Sequence, residues 1–368
     1  MKKLRIATIG VGRFGIFHLH AFKQLEDVLN VELVAAAEID IAKHSSIKNA
    51  FNIPVYSNYL EMIEKENLDA VSVATVDYQH KDIVLNSLLH GLHVLVEKPL
   101  DTNSIGSLEM VNIAKERNII LQVDFHKRYD PYHVEIKDLI NKNRFGDFLY
   151  GYCYMEDQIV VPRDWFKDWV SNTSPAWFLG SNFIDLISWL MDSRVKTVYA
   201  KGQKNKLLKL GLDTYDSITS MLTFENNAVI TLDSSWVLPE NFSSIVNQGF
   251  RLIGTEGIVE ADSHNRGTTS CFESEKGIRN HNSGFMHLEN DIYGKPRYVG
   301  YGINSIQHFI ANVVHINNGL TLKDLEGTYP SGIDGHEVTK AIEAIHLSIE
   351  TGEVIDVQNG KELCSKVV

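Results

Sequence analysis

Three glycines in Gly10-Val11-Gly12-Arg13-Phe14-Gly15 are spaced as GxGxxG. The run follows a β-rich apolar stretch at 4–9 and opens a helical stretch reaching about residue 24, the context in which such a loop binds a dinucleotide. The first glycine permits a tight turn, the second lets a pyrophosphate approach the backbone, and the third lets the helix pack on the strand. Backbone N–H groups and the helix dipole then hold the phosphate charge, with Arg13 and Phe14 inside the same loop. Glu38 lies 23 residues after Gly15, at the end of the second strand-like run. A carboxylate there accepts hydrogen bonds from ribose hydroxyls and repels a 2′-phosphate, and Ile39 beside it brings no cation. NAD is therefore expected over NADP, a preference tempered by Lys43 and His44.

A second group of chemically capable residues follows another apolar run. Val94-Leu95-Val96 leads into Glu97-Lys98-Pro99. A lysine emerging from the C-terminal end of a buried parallel strand is partly desolvated, which lowers its pKa and suits it to proton donation. A solvated lysine in a proline turn is the plain alternative. Thr75 and Val76 end the preceding strand and are expected to line the cofactor. His80 opens the next helix, near the expected nicotinamide half, with a direct or an indirect role. His126 stands just past the sixth strand, at the same end of the sheet. His18 is expected to pack or be solvated rather than to meet the cofactor.

The elements that position these residues alternate. Strand signals at 4–9, 31–37, 55–56, 70–74, 92–96 and 119–123 are separated by helical patterns. Runs apolar on both faces with helices between them imply a parallel sheet covered on both sides, the doubly wound pattern of a Rossmann domain. The style changes near residue 124. Helical patterns at 132–142 and 180–191 accompany successive strand runs at 148–155, 195–200, 215–224, 228–237, 250–254 and 257–261. Asn226-Asn227 and Thr255-Glu256-Gly257 read as hairpin turns. Two helices, 303–317 and 334–350, follow. The expected fold class is α/β, with a dinucleotide-binding domain at 1–124 and an α+β domain at 125–368 built on a large, open, mostly antiparallel sheet.

Composition narrows the function further. The chain has 368 residues, 44% hydrophobic and 22% charged, with net charge −12. That is ordinary for a globular protein and unlike a disordered chain. The acidity is spread over both parts with no basic patch, so nucleic acid is not an expected partner. Cys153, Cys271 and Cys364 are too few and too far apart for a disulfide framework or a CxxC site. No apolar run reaches the length of a membrane helix, and the glycines after Met1-Lys2-Lys3 interrupt any signal-like segment, so the cytoplasm is expected. The histidines form no ligand set that demands a metal.

The glycine loop, Thr75-Val76-Asp77-Tyr78-Gln79-His80, His93-Val94-Leu95-Val96-Glu97-Lys98-Pro99 and Lys127-Arg128-Tyr129-Asp130-Pro131 occur in that order. Together they resemble the glucose–fructose oxidoreductase/inositol dehydrogenase (Gfo/Idh/MocA) family, over essentially the whole chain, including Pro330-Ser331-Gly332-Ile333-Asp334-Gly335. The resemblance implies hydride transfer between nicotinamide and a carbinol or carbonyl of a sugar, sugar derivative or cyclitol, with Lys98 bonding the reacting oxygen. It also implies a homodimer or homotetramer assembled through the open sheet.

One part of the pattern departs from the family. Many members carry Asp and His four apart on a helix of the second domain, an acid/base pair on one face. Here Phe178 and Asn182 stand in those positions, with Asp185 retained one turn later. An amide cannot take up a proton at neutral pH, so Asn182 can orient a substrate but cannot be the base. Three readings remain open. Lys98 alone handles the proton, or another histidine does, His126 being the best placed; the base lies elsewhere; or the chain no longer performs ordinary dehydrogenation and is an NAD-dependent glycosidase or lyase, or a dinucleotide sensor. Arg163 and Trp165, in a polar and aromatic loop, suit a sugar ring by stacking and hydrogen bonding, or else cap the domain interface.

Overall fold

The computed structural model describes residues 3–263, 265–273, 277–281 and 284–358; Cys364 lies outside them. Two compact units result: residues 1–129 with 284–336, and residues 130–283 with 337–368.

The first unit holds β1 (Leu4–Ile9), β2 (Val31–Ala37), β3 (Val55–Tyr56), β4 (Ala70–Val73), β5 (His93–Val96) and β6 (Leu121–Val123). They form one sheet in the order β3-β2-β1-β4-β5-β6, and every adjacent pair is parallel. The order reverses between β1 and β4, and ligands of such sheets bind beyond the C-terminal strand ends at that point. The central strands are buried along their length, as continuous apolar runs require. Helices α1 (Gly15–Leu25), α2 (His44–Phe51), α3 (Tyr59–Lys65), α4 (His80–Leu89) and α5 (Ser104–Glu116) connect them. The sequence reading named no helix at α3, which is only two turns long.

The sequence reading ended the first unit at residue 124 and assigned everything beyond to the second. The chain instead returns at 284–336 to complete the first unit. The physical cause is an apolar helix face: Ile303, Ile306, Phe309, Ile310 and Val313 join the core formed by Leu19, Phe22, Val31 and Leu33. That spacing is a helical stripe. It reveals that the stripe is buried, but not which unit buries it.

The second unit contains β7 (Phe148–Gln158), β8 (Val195–Gln203), β9 (Ser217–Phe224), β10 (Val229–Leu238), β11 (Val246–Gly254) and β12 (Ile258–Asp262). With the short strand Ile355–Asp356 at one edge they make a seven-stranded sheet, β12-β11-β7-β10-β9-β8 and then that strand. All pairs are antiparallel except β7 with β10. The β9–β10 hairpin turns at Asn226-Asn227, with Asn227 left-handed at φ 66°, a conformation asparagine tolerates. Burial alternates along β9 and β10, so one sheet face is covered and the other open. Helices α6 (Pro131–Asn141), α7 (Ser181–Met191) and the one-turn α8 (Lys206–Lys209) belong to the same unit. No helix among the described residues is long and apolar enough to cross a membrane.

Candidate active site

The glycine loop joins β1 to α1, and the demands on its three glycines differ. Gly10 adopts φ +85°, and a Cβ there would lie 2.7 Å from the Ala74 carbonyl oxygen. A Cβ on Gly15 would lie 1.9 Å from the Gly10 carbonyl oxygen, so only hydrogen fits where α1 passes the turn. A Cβ added at Gly12 would meet no described atom within 4 Å. Gly12 is exposed beside Arg13, leaving the open backbone approach a pyrophosphate needs. Phe14 begins α1 and meets Phe17 edge-on at 6.3 Å.

Glu38 is buried, and its carboxylate accepts the Val11 and Asp40 N–H groups, each at 2.9 Å. One hydrogen bond to each oxygen leaves acceptor capacity for ribose hydroxyls. Lys43 Nζ stands 3.6 Å from the same carboxylate, the cation that tempers the NAD preference. The hydroxyl of Thr75 is buried without a hydrogen-bond partner among the described residues, beside half-buried Val76. An orphaned donor at the end of β4 fits a bound cofactor. His80 is fully buried, with Nδ1 2.7 Å from the Pro99 carbonyl oxygen and Nε2 3.3 Å from that of Thr75. It ties the β4 and β5 loops together, the indirect role.

Lys98 is 6% exposed at the end of β5 and begins a cis peptide with Pro99. Glu97 points to a partner the sequence reading did not foresee: His18 Nε2 donates to it at 3.1 Å. The Glu97 carboxylate is thus engaged with His18 in the core. Asp124 Oδ2 lies 3.7 Å from the same nitrogen, and the Ser305 hydroxyl donates to Asp124 Oδ1. The polar atoms of His18, Glu97 and Asp124 all fall within 4.8 Å of one another, a buried cluster absent from the sequence reading. No local signal could have found it, because the three residues come from separate segments.

Burial sets the charges here, tempered by neighbours. Burial pulls the His18 imidazole down, but the Glu97 hydrogen bond and charge, with the Asp124 charge, raise it overall. Burial pushes Glu97 up, yet the His18 hydrogen bond and charge, with Lys98, hold it below the usual carboxylate range. Burial and then the Glu97 charge push Asp124 up to about 7. His126 is driven down to about 3, first by burial and then by the Lys127 charge; its ring stacks on Tyr301 at 5.9 Å. So weak a base does not hold a proton at neutral pH, which disfavours His126 for the acid/base role the sequence reading considered.

In the second unit a π-helical turn, Ala176–Gly180, leads into α7; such turns occur at functional positions. Asn182 is 2% exposed, and its Nδ2 makes long hydrogen bonds, 3.3 Å and 3.4 Å, to the carbonyls of Phe178 and Leu179. Its Oδ1 has no hydrogen-bond partner among the described residues, so the amide presents a buried acceptor. Asp185 is buried one turn later on α7. Phe178 joins an aromatic cluster, 4.6 Å from Phe166 and 6.2 Å from Trp236 between ring centres. Trp236 is fully buried, which is packing, as its apolar neighbours suggest. Arg163 is committed to other partners. Its Nε and Nη2 donate to Asp164 at 2.8 Å and 2.7 Å, and Nη1 donates to Glu240. Most of its fork is thereby occupied, and Trp165 beside it is half-buried.

Residues 4–125 match the GFO_IDH_MocA family, described as an oxidoreductase family with an NAD-binding Rossmann fold, and residues 133–260 match the GFO/IDH/MocA C-terminal domain. The chain is 25% identical over 316 residues to the myo-inositol 2-dehydrogenase of Thermotoga maritima, covering 84% of this chain and 88% of that one. It is 24% identical over 262 residues to the scyllo-inositol 2-dehydrogenase (NAD(+)) of Bacillus subtilis, covering 70% and 73%. Its fold is similar to that of a scyllo-inositol dehydrogenase from Lactobacillus casei with bound cofactor NAD(H) and scyllo-inositol. The TM-score is 0.74 at 18% identity, over 97% of this chain and 100% of that one. The glycine cradle, the spare acceptors of Glu38 and the open hydroxyl of Thr75 fit NAD as the cofactor. The chain belongs to the Gfo/Idh/MocA family of NAD-dependent oxidoreductases.

Proposed function

We propose that the protein is a dehydrogenase that moves a hydride between nicotinamide and a carbinol or carbonyl of a sugar, sugar derivative or cyclitol, with Lys98 contacting the reacting oxygen. The observation that carries this reading is Lys98 itself, buried at the C-terminal end of a central parallel strand of the domain that holds the glycine loop. NAD, when bound, supplies the hydride acceptor. The chain's own part is electrostatic. A lysine ammonium placed at the reacting oxygen stabilises the negative charge that develops there as the carbinol proton is lost to solvent ahead of hydride departure, or as hydride arrives at a carbonyl in the reverse direction, an effect strengthened by exclusion of water. Gly10, Gly12, Arg13, Phe14 and Gly15 cradle the pyrophosphate, Glu38 takes the ribose hydroxyls, and Thr75 and Val76 flank the cofactor.

In the second unit, Asn182 and Asp185 orient substrate hydroxyls, and the open Oδ1 of Asn182 accepts one of them. Trp165 offers an apolar surface, and Arg163 contributes only the donor capacity that Asp164 and Glu240 leave. Cyclitols are the favoured substrates because the curated relatives include two inositol dehydrogenases.

A homo-oligomer through the open face of the second sheet completes the proposal. Tyr152, Thr231 and Met221 form one row across β7, β10 and β9, and Tyr150, Tyr152, Met221 and Ile258 are exposed. An apolar surface of this kind marks an association site. Light scattering of the purified protein would read a dimer or tetramer, and a monomer would refute it.

The activity is tested by Lys98→Ala. Turnover of myo-inositol or another polyol, followed by nicotinamide absorbance, is expected to fall by about 10²–10⁴, while NADH affinity stays within about twofold. Undiminished turnover would remove Lys98 from the reacting oxygen.

A further inference from the structure

We propose that Asp124 is a positioning residue for Lys98: it shares a buried site with Glu97 and His18, and by gaining or losing one proton there it sets the field in which Lys98 meets the reacting oxygen. This rests on the reading of Lys98 given above.

The geometry brings two carboxylates and an imidazole to one point in the core. His18 comes from α1, Glu97 from the end of β5 and Asp124 from the end of β6. His18, Glu97 and Asp124 are each less than 9% exposed. His18 is hydrogen-bonded to Glu97, and its Nε2 is 3.7 Å from Asp124. Two carboxylates in one dry site cannot both ionise cheaply, so one keeps its proton to a higher pH. The environment decides which one. Glu97 has the direct hydrogen bond from His18 and the adjoining charge of Lys98, whereas Asp124 has a neutral hydroxyl from Ser305 on α9 (Tyr301–Asn317). The groups facing Asp124 are therefore Glu97, His18, Lys98 and Ser305, with His126 two residues along the chain and neutral. The proton resides on Asp124, whose carboxyl is raised by burial and by the Glu97 charge to about 7. Carboxyls whose environments drive their pKa values apart in this way divide acid and base roles between them.

His18, Glu97, Asp124 and His126 line a cavity of about 10 Å³ with Phe14 and Phe285, room for one water molecule. With Asp124 protonated, ionised Glu97 and protonated His18 offset each other, and Asp124 adds no charge to the field at Lys98. Ionised Asp124 adds a negative charge behind Lys98 and weakens its action on the reacting oxygen. Asp124 does not touch substrate; it acts through Lys98.

Asp124→Asn fixes the neutral form and keeps an oxygen to accept from Ser305. The ratio of its kcat to that of the wild type, with myo-inositol as the first carbinol probe, is expected near unity at about pH 6. It is expected to rise about tenfold by about pH 8.5. A merely structural role would lower kcat equally at both. Infrared difference spectra of the wild type should show a protonated carboxyl band that disappears as pH rises through about 7, and Asp124→Asn should lack it. Should Asp124→Asn fail to fold, Glu97→Gln serves instead. Removing the neighbouring charge moves the band's disappearance to lower pH. A pH-independent kcat ratio, no such band at about pH 6, or a stoichiometric divalent ion bound by the wild type and lost with Asp124→Asn would overturn the proposal. The infrared measurement needs no substrate. A titrating band in a protein that oxidises no carbinol would refute the assigned activity and the role at Lys98 while leaving the carboxyl pair.

Discussion

The two units treat their polar side chains differently. Around the glycine loop, most charged and ring groups of the first unit are paired, His18 with Glu97, Ser305 with Asp124 and His80 with the Pro99 carbonyl, while the Thr75 hydroxyl stays open at the cofactor side. In the second unit, the turn that leads into α7 is surrounded by aromatic rings, and Asn182 keeps an open acceptor. A closed network fixes charges and protons in place. An open acceptor waits for a donor from a ligand. Under the proposed function, the first unit binds the cofactor and sets charge while the second recognises substrate, so variants in the two should fail in different measurements.

The largest expected effect comes from filling the glycine turn. Gly15→Val forces side-chain atoms onto the Gly10 carbonyl, and NADH affinity should fall by more than about 100-fold, about 2.7 kcal/mol. Titration of NADH fluorescence reads it, and near-normal affinity would mean that the turn is not the phosphate cradle. Asn182→Ala should do the converse. Losing one hydrogen bond to a substrate hydroxyl raises KM about 5- to 15-fold, with NADH affinity unchanged. An unchanged KM would take Asn182 out of substrate recognition. Asn182→His sharpens the same point, since it should add a titration to the pH profile only if the position faces substrate.

A stability effect without a functional readout concerns the far end of β5, where His93 accepts the Ile120 N–H at 3.0 Å. Burial, opposed by the Asp69 charge, pushes His93 from 6.5 down to about 4. The folded protein keeps it neutral while the unfolded chain takes up a proton. Its contribution is present in full above about 6.5 and is lost as pH falls towards 4, amounting to about 2 kcal/mol between pH 7 and pH 5. His93→Asn retains an acceptor for Ile120 and removes the titration, so its melting temperature should fall less on acidification than that of the wild type. Equal slopes would show that His93 is not held neutral.

The same contrast explains what the sequence disclosed. Apolar runs, Gly10, Gly12, Gly15 and Glu38 act locally, within a few residues or one β-α-β unit, and spacing alone exposes them. The strands of the second sheet and the Asn226-Asn227 turn were legible, but not all their ends: β11 starts at Val246 rather than 250, and β7 runs to Gln158 rather than 155. Long-range closure was not legible. Residues 18, 97 and 124 form one site, Glu240 occupies Arg163 from 77 positions away, and the stripe on α9 completes the first core. The parallel pairing of β7 with β10 was hidden for the same reason, because each strand's own pattern is indifferent to its neighbour's direction. The weakness of His126 as a base also escaped detection, since it comes from burial and from nearby charge rather than from residue type.

The central claim is that hydride moves from a carbinol carbon to nicotinamide with net reduction. Supplying the purified protein with NAD and a polyol deuterated at its carbinol carbons, and analysing the nicotinamide formed, tests it most directly. The account predicts NADH that carries deuterium and accumulates in step with oxidised polyol. Turnover of a sugar substrate with the cofactor retained and no net NADH would contradict it, and would place the chain with enzymes that use the cofactor for transient oxidation.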